Sequence, residues 1–173
     1  MSRWLALLPL AVLAALAALF AGYALHHDPH VNPAALVGRP VPAEQLPGLD
    51  GEAPRPLHAA AQGPVLINFY ASWCAPCVEE APALMALKAQ GVPIIGVAWK
   101  DTPDKAKAFL LQHGDPFAAK YVDQSGRAGV DFGVSGVPET FAVDASGVIR
   151  AKQASPLTPD SAEALIDRAG LGR

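Results

Sequence analysis

The chain has 173 residues, with 13 Lys+Arg against 16 Asp+Glu, 51% hydrophobic residues and two cysteines. A net charge of −3 without a run of basic residues lacks the electrostatic footprint that a phosphate backbone demands, so nucleic acid is not expected among its partners. Two cysteines suffice for one disulfide or one dithiol; alone they cannot build a multiply stapled secreted scaffold or a four-thiolate zinc site.

From Trp4 to Leu25 run 22 residues without a charge, which as a helix would span roughly 33 Å. That length crosses a bilayer. Arg3 and the amino terminus precede the run and Asp28 follows it, so the positive-inside rule puts the N-terminus in the cytoplasm and exports the rest. Pro9 is tolerable near the end of a membrane helix. Gly22 and Ala24 would suit a cleaved signal peptide, but the run exceeds the usual core of about 7–15 residues. The expectation is therefore a retained anchor over 1–25, a linker over 26–38 and a soluble domain over 39–173. His26 to Pro64 holds eight of the 17 prolines, a composition that predicts extended chain and turns rather than core. The histidines of HHDPH (26–30) lack a register that would converge them on a metal, which points to a solvated linker.

Further along, VLINFY (65–70) is a short apolar run of strand formers, as expected of a central strand buried on both faces. Cys77 to Gln90 carries Ala81, Leu84, Met85 and Leu87 at helical spacing and stops at Gly91. PIIGVAW (93–99) predicts a second buried strand, and Thr102 to His113 a helix with a Thr cap and Pro at its first position. Phe141–Val143 and Val148–Lys152 predict a hairpin, and Thr158 to Ala169 a closing helix. The sum is one α/β domain: a mixed sheet flanked by helices.

At the end of the first strand stands WCAPC (73–77). A cysteine at a helix N-terminus meets free backbone N–H groups and the positive end of the dipole, which stabilise the thiolate that attacks disulfides. Cys74 is placed to be that nucleophile. Cys77, in the first helical turn, is close enough to attack a mixed disulfide formed at Cys74 and release the partner. Half of a zinc or copper site would need ligands that the motif lacks. A purely structural bridge closing so small a loop would remove little chain entropy.

Through NFYASWCAPC (68–77), Pro82, and VP (137–138), the chain resembles the thioredoxin superfamily. That resemblance implies that the Val137–Pro138 bond is cis, that Pro138 packs beside the cysteines and that Val137 presents its backbone to an extended substrate. With NPAALVGRPVP (32–42), GVAWKD (96–101) and GVSGVPETF (133–141), it more closely resembles the CcmG/DsbE-type thiol:disulfide interchange proteins of cytochrome c maturation. The resemblance implies a thioredoxin-like fold behind one transmembrane helix, on the periplasmic side of a bacterial inner membrane. It also implies a reductant that needs no cofactor, takes electrons from a DsbD/CcdA-type membrane donor, and reduces apocytochrome c directly or through a CcmH-like partner. Nothing in the sequence suggests more than a monomer. A reductase serving a copper-site assembly protein, or a module that binds Cu(I) without turnover, are the competing readings.

Two carboxylates fit the redox role. Glu80 lies three residues beyond Cys77 on one helix face, where a carboxylate of raised pKa could take the resolving thiol's proton. Glu139 follows Pro138 and is expected near Cys74, where its charge would disfavour the thiolate. Trp73 is expected to flank the site, partly exposed, and Trp99 to be core. Asn68 stands where the superfamily has a buried Asp and is expected only to hydrogen-bond, with Glu80 taking over the acid–base task. Lys100, Asp101 and Thr102 follow the second strand in a loop specific to the family resembled, but a solvated turn explains their polarity equally well, and no catalytic role is expected of them.

Overall fold

The structure, a computed structural model, describes residues 3–26, 36–60 and 63–172. It divides into two compact units, Met1–Val31 and Asn32–Arg173. The first holds a single helix, α1 (Arg3–His26), with Pro9 inside it. Its side chains are described over 9–22 only, and among the described residues no helix is long and apolar enough to cross a membrane. Residues 27–30 of the histidine cluster lie outside the described residues.

The second unit begins with a two-stranded pair, β1 (Gln45–Leu46) and β2 (Arg55–Pro56), and a short helix α2 (Leu57–Ala60). The proline-rich approach is not the coreless chain its composition predicts: Val41, Leu46, Leu49 and Leu57 are all buried. Prolines remove backbone donors but do not prevent the residues between them from packing.

The main elements follow as β3 (Val65–Tyr70), α3 (Ala75–Ala89), β4 (Ile94–Trp99), α4 (Pro103–His113), β5 (Ala119–Asp123), α5 (Arg127–Asp131), β6 (Glu139–Val143), β7 (Ile149–Gln153) and α6 (Pro159–Ala169). The sheet order is β5-β4-β3-β6-β7. β3, β4 and β5 are parallel; β6 runs antiparallel to β3 and pairs β7 as the predicted hairpin. β3 and β4 are buried at every position, as their continuous apolar runs require.

Strand alternation sorts the core into two halves. On one face Leu66 and Tyr70 of β3 join Leu84, Leu87, Phe109, Leu110 and Leu165, from α3, α4 and α6. On the other, Val65, Ile67 and Phe69 join Phe132, Phe141, Leu46 and Leu57. Here Phe69, Phe132 and Phe141 form an aromatic cluster with centroids 5.0–5.8 Å apart.

Two helix details differ from expectation. In α3 the buried face is Cys77, Glu80, Ala81, Leu84 and Leu87, whereas Met85 is on the exposed side at 37%. Thr102 occupies the N-cap of α4 but makes no side-chain cap bond; the Asp101 carboxylate accepts its backbone N–H instead, at 2.8 Å.

Candidate active site

β3 stops at Tyr70 and the chain turns through 71–73 into α3. Cys74 is the N-cap in an extended conformation (φ −94°, ψ 105°), and Pro76 sits inside the first turn, where its missing N–H costs nothing. The Cys74 Sγ accepts the Cys77 N–H at 3.1 Å. The two cysteines are joined as a disulfide with their Cα atoms 5.3 Å apart. Both are buried, while Trp73 is 57% exposed beside them, as the sequence predicts for a flanking tryptophan. The N–H on Sγ and the helix N-terminus both favour negative charge at Cys74 once the bridge opens.

Opposite the cysteines, the Val137–Pro138 peptide is cis, and the Val137 carbonyl oxygen lies 3.3 Å from Cys74 Sγ. In the disulfide this is a contact; in the dithiol a Cys74 S–H could donate to that carbonyl.

Behind the pair lies a buried polar group drawn from β3, α3, β6 and the loop before α6. Asn68 Nδ2 donates to Glu80 Oε1 at 2.8 Å and to Thr140 Oγ1 at 2.9 Å, and the Leu157 N–H donates to Glu80 Oε2 at 3.1 Å. Asn68, Glu80 and Thr140 are fully shielded from solvent. Burial pushes the Glu80 pKa up to about 7, partly opposed by the bonds from Asn68 and Leu157. A carboxyl that titrates near neutrality, one helical turn from Cys77, is suited to exchange a proton with that thiol. Asn68 has the hydrogen-bonding part expected of it: it orients Glu80 and has no acid–base capacity.

Glu139 is not where the sequence suggested. Directly opposed residues of an antiparallel pair share a face. Glu139 is opposite Phe69, whereas Thr140 is opposite Asn68. The Glu139 side chain therefore points to the face away from the cysteines, where it is buried against Lys152 Nζ at 2.9 Å. The expectation of a free negative charge near Cys74 is corrected: the carboxylate is across the sheet and neutralised.

The missed residue is Asp101, which is buried rather than part of a solvated turn. Its carboxylate accepts from Ser72 N at 2.6 Å, from Ser72 Oγ at 3.0 Å and from Thr102 N. Trp73 Nε1 donates to the Lys100 carbonyl at 3.2 Å, so the loop after β4 fixes the two residues that precede Cys74. The sequence signal for it is an Asp immediately before a Thr-Pro helix start, but polarity alone does not separate a buried carboxylate from a solvated turn. Replacing Asp101 with Ala strands three half-buried donors, and urea unfolding should show a loss of about 1–3 kcal/mol. A loss below about 0.5 kcal/mol, the range of an ordinary surface change, would mean that the loop is held by something else.

Among the described residues, no cluster of three or more His, Cys, Asp or Glu could hold a metal ion.

A parallel βαβαβ core extended by an antiparallel hairpin, with a CxxC disulfide at the N-terminus of the first core helix and the carbonyl of a cis Val–Pro peptide against it, defines a thioredoxin-fold thiol:disulfide oxidoreductase. The Redoxin family matches residues 36–166. The chain is 45% identical over 170 residues to the thiol:disulfide interchange protein HelX of Rhodobacter capsulatus, covering 96% of each. It is 40% identical to DsbE of Escherichia coli, covering 92% of this chain and 89% of that one. A crystal structure from Chlorobium tepidum described as a thiol:disulfide interchange protein DsbE superposes with a TM-score of 0.63 at 29% identity, over 79% of this chain and 98% of that one. The chain belongs to the CcmG/DsbE-type thiol:disulfide interchange proteins, within the Redoxin family.

Proposed function

We propose that the protein is a reductant of cytochrome c maturation, anchored by residues 1–25 in a bacterial inner membrane with its thioredoxin-like domain, residues 39–173, in the periplasm. The Cys74 thiolate attacks one sulfur of a client disulfide, forms a mixed disulfide and releases the other client sulfur as a thiolate. Cys77, its proton passed to Glu80, then attacks Cys74 Sγ, closes the Cys74–Cys77 bridge and releases the second client thiol. Two electrons leave the dithiol, and a DsbD/CcdA-type membrane donor restores it. Val137 and Pro138 shape the groove for the client, and Trp73 covers its rim. The client is the haem-binding cysteine pair of apocytochrome c, met directly or on a CcmH-like partner.

The observation that carries the direction of electron flow is Glu80, buried one turn from Cys77. A carboxylate beside the pair disfavours thiolate and so destabilises the reduced form, which makes the dithiol a readier donor. The client assignment rests on the resemblance through GVSGVPETF (133–141). The test is the equilibrium potential of the full chain against a glutathione series, followed by reduction of a disulfide peptide carrying the CXXCH haem-binding sequence. A potential near or below the glutathione range with rapid peptide reduction is expected. A strongly oxidising potential would overturn the direction, and preference for a copper-site cysteine pair would overturn the client.

A further inference from the structure

The loop from Gly133 to Pro138 delivers the Val137 carbonyl to Cys74, yet little of its own backbone holds it. Gly133 and Val134 donate to the carbonyls of Val130 and Gly129. Beyond them the ties pass through two charged side chains on the far face of the sheet. Glu139 Oε1 accepts from the Ser135 N–H at 3.0 Å and from its hydroxyl. Lys152 Nζ donates to the Gly133 carbonyl at 2.8 Å while it contacts Glu139 Oε2 at 2.9 Å. The ammonium also faces the Phe141 ring, 5.5 Å from its centroid.

The pair's side chains are 0% and 1% exposed. A buried ion pair is a poor source of net stability, because desolvation offsets most of the attraction and an apolar pair of like volume often serves as well. Its directed bonds do what an apolar pair cannot. They grip the loop at Gly133 and Ser135, four and two residues upstream of Val137.

We propose that Lys152 is a positioning residue for substrate, acting through Glu139 and the 133–138 loop on the groove at Cys74. It touches neither the cysteines nor the client. It sets where the Val137 backbone stands when an extended polypeptide lies against it. The inference rests on thiol:disulfide exchange as such and is independent of the client proposed above.

A positioning role separates two kinds of substrate. Cystamine, a small disulfide, needs only the Cys74 thiolate, whereas a peptide disulfide must also lie along the loop. In the full chain, Lys152→Met should raise the KM for a disulfide peptide roughly tenfold, the scale expected when a positioning contact is loosened. The rate with cystamine should stay within about twofold, the scatter of a contact uninvolved in that reaction. Lys152→Arg, which can still donate to Gly133 and pair with Glu139, should restore the KM. Since Lys152→Met leaves a buried carboxylate without its counter-ion, the double variant Lys152→Met/Glu139→Gln removes that charge while still lacking the bond to Gly133. It should keep the raised peptide KM. An unchanged peptide KM in the double variant, or equal losses with both substrates, would overturn the proposal and leave the pair a structural one.

Discussion

Replacing Cys77 with serine is expected to turn the protein into a trap. Mixed with a peptide disulfide, the reduced variant should accumulate one covalent adduct at Cys74, seen by mass spectrometry of the full chain, while its turnover falls by roughly 10³-fold or more as intramolecular resolution is lost. Cys74→Ser should form no adduct. The asymmetry comes from position: Cys74 is the N-cap, its Sγ receives the Cys77 N–H, and the groove carbonyl of Val137 lies 3.3 Å from it. Serine at 77 keeps that backbone N–H, so the nucleophile retains its stabilisation and only the resolving step disappears. An adduct at Cys77 in Cys74→Ser, together with none at Cys74 in Cys77→Ser, would reverse the roles.

The chemistry of the first turn was legible because it is local. Strand, CxxC and helix are contiguous, and the spacing of Cys77 and Glu80 places both on one helix face. β5 and α5 carry no such local signal, for opposite reasons. β5 (Ala119–Asp123) is an edge strand whose first two positions are only half-buried, so it shows neither a continuous apolar run nor alternation. α5 (Arg127–Asp131) is too short for a helical period, and it follows Gly126 in a left-handed conformation. The placement of Glu139 fails for a third reason: β6 is buried at every position. Hydropathy alternation then cannot tell which side faces the helices. What decides it is pairing with Phe69 and with Lys152, and that belongs to the sheet register. The support of Glu80 is equally non-local, with bonds from Asn68 and Leu157 reaching across 12 and 77 residues. A single sequence reveals a carboxyl on the right face of a helix, but the burial that moves its pKa is tertiary.

Glu80 makes the stability of the disulfide form depend on pH in an unusual direction. Its pKa is raised from 4.5 to about 7, so the native state holds a proton that the unfolded chain has released between those values. Native stability from this group is complete below pH ~4.5, is lost progressively as the pH rises to about 7, and levels off above that, with a total change of about 3 kcal/mol. Most acidic groups act the other way; Asp144, whose pKa is lowered by hydrogen bonds from Ser146 and Val148, contributes stability that is lost only in acid. Subtracting the curve of Glu80→Gln from that of the wild type isolates the Glu80 contribution. The amide is a fair substitute once the Asn68 amide turns over: Asn68 Oδ1, which has no hydrogen-bond partner, then accepts from it and from the Thr140 hydroxyl, while the Gln oxygen keeps the Leu157 N–H. Urea unfolding from pH 4.5 to 8 should show the wild type losing stability relative to Glu80→Gln, and a flat difference would place the carboxyl near its ordinary pKa. The same proton affinity governs catalysis. Release of the mixed disulfide requires Cys77 to lose a proton, and ionised Glu80 is the acceptor one turn away. The resolving rate of the wild type should therefore rise with an inflection near pH 7. Glu80→Gln should lose that inflection and resolve about 10²-fold more slowly at neutrality, the scale of general-base catalysis. If the inflection persists in Glu80→Gln, another group takes the proton and burial of Glu80 serves the fold alone.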